Sequence, residues 1–168
     1  MSMDSLRDLF VEQLRDTLSA EKQLVKALPK VANKANSEML SDTILEHLEE
    51  TRTHVTRLEQ VFAAIGEPAR AKTCKGMAGL IEEGEEEMKE DGHEAILDAA
   101  IVASAQRIEH YEIAAYGCLI RYAELLELPD AVGLLEQTLG EEKAADAKLT
   151  EVSDAEVLSS ALAVGAEA

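Results

Sequence analysis

The stretch HLEETRTHV, residues 47–55, sets two histidines and two glutamates into nine positions of a segment that otherwise reads as an amphipathic helix. Its apolar residues are Leu40, Ile44, Leu48, Val55, Leu58, Phe62 and Ile65, separated by three, four or seven positions, as one face of a 3.6-residue repeat requires. At 100° per residue, His47 and His54 fall within the border of that face, Glu50 lies at its edge and Glu49 looks toward solvent. Groups that dislike burial therefore occupy inward positions. What the rest of the chain places opposite them decides how this helix is read.

Ser37 is the expected N-cap of this helix, and Gly66 with Pro68 just beyond should end it. Upstream, Leu6, Phe10, Leu14, Leu18, Val25 and Leu28 form the apolar face of a helix from about Asp4 to Lys34. Pro29 lies inside it and removes the bond to the carbonyl of Val25, which predicts a kink. Downstream, Thr73 to Lys89 carries a weaker stripe of Met77, Leu80, Ile81, Gly84 and Met88 and reads as a shorter connecting helix. Ile101, Ala105, Ile108, Tyr116, Leu119 and Leu126 mark a helix from about Gly92 to Leu126. The LPD at 128–130 separates it from a last helix with Leu135, Leu139, Leu149 and Val152 inward. The tail opens with a capping-box pattern, Ser153 to Glu156, and reads as a short further helix.

Two long helices, a long connection and two more long helices describe an all-α, ferritin-like four-helix bundle with a crossover connection containing a short extra helix. The bundle is expected to span residues 1–153, with 154–168 as a tail. A plain up-and-down bundle with a decorated loop is the alternative. Composition agrees: 168 residues suit one domain, and 3 % aromatic content with abundant Ala, Leu and Glu favours helices over sandwiches or barrels. A formal charge of -18 disfavours nucleic acid and anionic membranes as partners and favours cations. Cys74 and Cys118 are too few for a disulfide framework, Asp4, Arg7 and Asp8 interrupt any secretory signal, and no window is apolar enough to span a membrane. A reduced cytoplasm is the expected setting.

The other helices repeat the anomaly of residues 47–55. Glu21 falls between Leu14, Leu18, Val25 and Leu28; Glu112 lies in line with Ile101, Ala105, Ile108, Tyr116 and Leu119, with Glu109 one turn earlier on the flank. Glu142 is centred between Leu135, Leu139 and Leu149, with Asp146 at i+4. An ionised carboxylate buried without a partner costs several kcal/mol, so inward acids must be protonated, paired or neutralised by metal. Lys22, Lys26, Lys143 and Lys148 project from outer faces, which leaves His47, His54 and a bound cation. Carboxylates facing one or two imidazoles suit two divalent ions of the iron or manganese type. LEETRTHVTRLE (48–59) also overlays GEEKAADAKLTE (140–151), matching Glu50 to Glu142 and His54 to Asp146, as a pseudo-two-fold pair of hairpins would.

At these residues the sequence resembles the YciE/YciF family of ferritin-like bacterial stress proteins. The matching stretches are SAEKQLVKALPKVA, HLEETRTHVTRLEQVF, CKGMAGLIEE, AQRIEHYEIAAYG and TLGEEKAADAKL, which together cover roughly Leu6 to Val152. The resemblance implies a homodimer with a two-metal centre, iron first and manganese second, and no settled reaction. The wider ferritin-like pattern places a Glu on the first and third helices and Glu-x-x-His on the second and fourth. This chain departs from it, with Glu50 and His54 at i+4 and Asp146 where a histidine is usual. EHYE (109–112) is similar to the rubrerythrin arrangement, in which an extra carboxylate moves between terminal and bridging roles. By that likeness Glu21, Glu50, Glu109, Glu112 and Glu142 are ligand candidates, followed by His54 and Asp146, with His47 as a reserve ligand or a donor to one.

Two functions follow as expectations. In the first, metals held by Glu21, Glu50, Glu142 and His54, with Glu112 bridging or shifting, react with oxygen or peroxide. In the second, the chain is a non-enzymatic, dimeric stress-response bundle in which metal only neutralises buried acids. His110 is expected in solvent and His93 near a helix start. Tyr116 lies one turn beyond Glu112, Cys74 and Cys118 read as packed small groups, and EEGEEEMKED (82–91) reads as a solvated acidic face.

Overall fold

The computed structural model describes residues 3–166, among which no strand forms. The chain folds into α1 (Leu6–Ala32), α2 (Glu38–Ala64), α3 (Lys75–Glu87), α4 (Glu94–Leu125) and α5 (Pro129–Val152). A π-helical turn at Ser153–Val157 then leads into α6 (Leu158–Ala166). Side-chain chemistry sets the starts. Ser5 Oγ accepts the N–H of Asp8 at 3.1 Å and Ser37 Oγ that of Leu40 at 3.2 Å, each satisfying a donor that has no partner within its own helix. Cys74 caps α3 in the same way, its Sγ accepting the N–H of Met77.

Gly66 ends α2 at φ 73°, with Glu67 N–H bonded to Phe62 O at 3.0 Å and Gly66 N–H to Ala63 O at 3.2 Å. This reverse closure needs a left-handed residue, which glycine adopts without steric cost. The end of α4 repeats it with Glu127 at φ 56°, Leu128 N–H reaching Ala123 O at 3.0 Å, so a side chain stands where glycine is favoured. Helix α1 continues through Pro29 to Ala32. The lost donor falls in the last turn, where one missing bond leaves the rest of the ladder intact, and Asn33 N–H still closes on Pro29 O at 3.2 Å.

Helices α1 and α2 form one hairpin, α4 and α5 the other, with α1 beside α4 and α2 beside α5. Asp98, in the second turn of α4, accepts the N–H groups of Asn36 and Ser37 at 2.8 Å each. That contact puts the starts of α2 and α4 at one end, so these two helices run parallel and the connection between them must travel the length of the bundle. It does so along α1, where Lys72 N–H bonds Arg15 O at 3.0 Å, and α3 then packs on α4 and α1. The crossover of a ferritin-like bundle results, rather than an up-and-down arrangement.

Two apolar layers fill the interior. One holds Phe10, Leu14, Leu18, Leu58, Phe62, Tyr116, Leu119 and Leu135; the other holds Leu24, Leu28, Leu40, Ile44, Leu48, Ile101 and Leu149. Each such side chain contributes about 1.5–3 kcal/mol by leaving water. The tail adds Val157 to the second layer, and α6 packs on α4. Between the layers, at the level of Glu21 and His54, the interior is polar.

Candidate metal centre

Four helices contribute to this polar level. Helix α1 supplies Glu21, α2 supplies His47 and His54 two turns apart, α4 supplies Glu109 and Glu112 one turn apart, and α5 supplies Glu142. All six side chains are buried: Glu21, His54 and Glu142 are 0 % exposed and Glu112 only 1 %. Helical spacing explains the placement, because each residue continues the i, i+3, i+4 row of its helix's apolar stripe and so must point where that stripe points. No local rule could turn them outward without also exposing Leu18, Leu58, Leu119 or Leu135.

Within this layer His47 Nε2 lies 3.2 Å from Glu109 Oε1 and 3.9 Å from Glu142 Oε2. His54 Nδ1 lies 3.0 Å from Glu142 Oε1 and 3.6 Å from Glu21 Oε1. The groups form two sets whose ligand atoms lie within 4.8 Å of one another, one of His47, Glu109, Glu112 and Glu142 and one of Glu21, His54 and Glu142. Glu142 belongs to both. The oxygens of Glu112 and Glu142, one oxygen each of Glu21 and Glu109, both nitrogens of His47 and Nδ1 of His54 lack a hydrogen-bond partner. Buried polar atoms in native proteins are rarely left so. Oxygen and imidazole donors converging without protein donors of their own fit a divalent ion, which could take up these lone pairs.

Protonation follows from the same crowding. Burial pushes the carboxyls of Glu21 and Glu112 up, Glu112 well above the usual range, and neighbouring carboxylates add to the effect. Burial likewise lifts Glu109 to about 8. It opposes charge on both imidazoles, but the acids outweigh it. His47 rises to about 9 through Glu50, Glu109 and Glu142, and His54 to about 10 through Glu142 and Glu21. Without metal the layer therefore holds protons in place of a cation.

Around the six residues stand groups that orient them. Tyr116 OH donates to Glu21 Oε1. Glu141 Oε2 lies 2.8 Å from His54 Nε2, and Arg57 grips Glu141 with bonds of 2.7 and 3.1 Å while also donating to Thr138 Oγ1 at 2.7 Å. Burial acts to raise Glu141, but Arg57 and His54 hold its carboxyl below the usual range. With its Nε2 proton engaged by Glu141, His54 turns Nδ1 toward Glu21 and Glu142, an arrangement common behind metal-binding imidazoles.

Five of the seven residues expected as ligands meet in this layer: Glu21, His54, Glu109, Glu112 and Glu142, and His47 joins them. Glu50 stands at the rim, its side chain 48 % exposed and 3.5 Å from His47 Nδ1, and that imidazole holds its carboxyl below the usual range. Asp146 faces out of the layer, toward Gln106 Nε2 at 3.1 Å and the exposed His110 at 3.5 Å. One turn beyond Glu142 the side chain falls on the α4 flank of α5 rather than on the bundle axis. Glu141 and Arg57 were not anticipated. Their signal was present, since Arg57 is three residues after His54 and Glu141 adjoins Glu142, but it points to a contact only once α2 and α5 are known to be neighbours. Among the described residues, no helix is long and apolar enough to cross a membrane.

Comparison with known proteins agrees with the fold. The chain is 44 % identical to protein YciF of Escherichia coli over 154 residues, covering 91 % of this chain and 93 % of that one. The crystal structure of that E. coli stress protein superposes with a TM-score of 0.87 at 43 % identity, covering 90 % of this chain and 96 % of the other. YcfI of Rhodopseudomonas palustris, to which a structural role has been attributed, matches equally well, with a TM-score of 0.87, 45 % identity and coverage of 89 % and 95 %. A Xanthomonas campestris protein shares the fold alone, at 19 % identity and a TM-score of 0.71 over 92 % of this chain and 95 % of that one. Residues 5–162 match the family described as a domain of unknown function (DUF892), and with the YciF relatives at this identity and coverage the chain belongs to that family, the YciF-like stress proteins with a ferritin-like bundle.

Proposed function

We propose that this chain is a dinuclear metal-carboxylate protein whose centre lies between the two apolar layers. His47, Glu109, Glu112 and Glu142 would hold one ion, Glu21, His54 and Glu142 the other, with Glu142 shared. Oxygen and imidazole donors favour iron, with manganese next. One observation carries the reading: six buried side chains from four helices converge on one layer, and most of their inward oxygen and nitrogen atoms have no hydrogen-bond partner outside the cluster itself. Bound iron would supply the redox change needed for ferrous oxidation by oxygen or peroxide. The protein's share is to hold Glu21 in place through Tyr116, to orient His54 through Glu141 and Arg57, and to keep bulk water out with Leu18, Leu58, Leu24 and Leu48. Glu50 takes a corresponding place behind His47, and Asp146 stays outside the centre. The setting carried over from the family likeness is a homodimer in a reducing cytoplasm.

Metal analysis of protein purified without chelator, followed by optical spectra of the stripped protein after ferrous iron and peroxide, tests this. Two metals per chain with rapid peroxide-dependent oxidation is the expected result. Protein that neither retains nor takes up metal would end the proposal. The second reading draws on the structural role attributed to YcfI: metal neutralises the buried acids and holds the bundle together. Stoichiometric metal that never reacts with oxidant would select it.

A further inference from the structure

Two clefts reach Glu109. The first lies between α1, α3 and α4; its wall is mostly apolar, with Leu24, Ile81, Met88 and Ile101, and it also carries Lys30, Glu85, Glu87 and Ser104. Its acids Glu85 and Glu87 are paired with Lys30 and Arg107, and the apolar remainder offers a hydrated cation little in exchange for its water. The second lies between α2 and α5 and has an internal volume of about 90 Å³; Thr43, Glu46, His47, Glu50 and Lys148 line it beside apolar residues such as Ile44 and Leu149. That is several times the ~10–15 Å³ a single water needs. Along it the acid groups form a graded series. Side-chain exposure falls from 66 % at Glu46 to 48 % at Glu50, then 9 % at His47 and 3 % at Glu109. At its inner end both His47 nitrogens and Glu109 Oε2 lack hydrogen-bond partners. At its mouth Lys148 of α5 pairs with Glu46 of α2. Ala144 is small and exposed, which leaves the gap between the two helices open.

We propose that divalent cations reach the buried layer through this α2–α5 cleft, with Lys148 and Glu46 forming a displaceable ion pair across its mouth. The proposal rests on the metal-centre reading above. A cation arriving at the mouth exchanges its hydration water stepwise for carboxylate oxygen, first at Glu46, then at Glu50, and then for the His47 and Glu109 groups. Each step replaces lost water with a donor of rising burial, so no stage leaves the ion bare. A lysine paired at the mouth competes with the entering cation for Glu46, and the pair is exposed enough to break at little cost.

The test follows cobalt(II) by its visible absorption in stopped-flow mixing with chelator-stripped full-length protein, and its release into excess EDTA. Ala144→Trp should obstruct the cleft, slowing uptake and release each about tenfold or more while the dissociation constant stays within about twofold. Equal slowing in both directions marks a route, since loss of a ligand changes the equilibrium constant. Lys148→Ala should speed uptake several-fold. Glu46→Lys, on an exposed position outside the core, should slow uptake several-fold, with the difference shrinking as salt is added. Ile81→Trp in the apolar cleft should leave both rates unchanged. Wild-type rates in Ala144→Trp and Glu46→Lys together, or slowing by Ile81→Trp alone, would overturn the route while leaving the metal centre standing. Failure of the wild-type chain to bind cobalt at all would overturn both.

Discussion

Glu141 reaches from α5 to within 2.8 Å of His54 Nε2, and Arg57, one turn along α2 from that histidine, grips the same carboxylate. The imidazole is thereby fixed in orientation, with Nδ1 aimed at Glu21 and Glu142. Removal of such an outer partner typically weakens metal binding about 10–100-fold. Glu141→Ala should therefore lower affinity by that factor in competition titrations against a chromophoric chelator, with two ions still bound at saturation. Unchanged affinity would remove Glu141 from any role at the centre.

Glu142 belongs to both ligand sets and Glu21 to one. Stoichiometry should register the difference. Glu21→Ala is expected to retain about one ion per chain, whereas Glu142→Ala should impair both sites and retain none after gel filtration. Equal losses in the two variants would contradict the shared position of Glu142.

Both oxygens of Glu112 are buried without hydrogen bonds. In metal-free protein this carboxyl is a cost, and replacing uncompensated buried polar groups with packed apolar ones often stabilises by about 1–4 kcal/mol. Glu112→Met should accordingly raise the melting temperature of stripped protein by several degrees, at about 2–4 °C per kcal/mol for a chain of this size. It should also forfeit metal binding at the set that Glu112 shares with His47, Glu109 and Glu142. A lower melting temperature in the stripped variant would show that Glu112 is compensated in a way its surroundings do not reveal.

Stability of the stripped protein should fall as pH rises. His47 and His54, raised to about 9 and about 10, hold protons in the folded chain that the unfolded chain releases near 6.5. Their contribution is complete below 6.5 and is lost through 9 and 10. Glu109, raised by burial to about 8, contributes below its ordinary 4.5 and loses that contribution through 8. All three act in the same direction. With about two excess protons over this range, each corresponding to about 1.4 kcal/mol per pH unit, the melting temperature between pH 7 and 9 should drop by about ten degrees or more. Metal-loaded protein should show a flatter profile, since the ion replaces the protons. A flat profile in stripped protein would be the contrary result.

At the end of α4, Glu127 sits at φ 56° and has the only positive φ of a non-glycine residue among the described residues. The left-handed region costs a side chain about 1–2 kcal/mol, and the greater freedom of glycine when unfolded returns part of that. Glu127→Gly should stabilise the fold by about 0.5–1 kcal/mol, read as a rise of roughly 2 °C in melting temperature. Destabilisation would mean that the Glu127 side chain has a stabilising role outside its backbone geometry.

The sequence by itself determined the helices and the faces they bury. Apolar spacing alone placed Glu21, Glu112 and Glu142 inward on α1, α4 and α5, because a side chain's direction on a helix is fixed by its position in a 3.6-residue repeat. Capping residues placed the start of α2 at Ser37 and its end at Gly66 for equally local reasons. Tertiary structure decided everything that depends on which helix faces which. Position on a wheel left Glu50 at an edge and Asp146 in line with Glu142. The packing of α2 against α5, and of α4 against α5, is what turned Glu50 to the rim and gave Asp146 to Gln106 and His110, while drawing His47 to Glu109. The hold of Glu141 and Arg57 on His54 joins residues more than eighty positions apart. Periodicity reports only the angle of a side chain about its own helix axis, and such contacts depend on the distance and rotation between two axes.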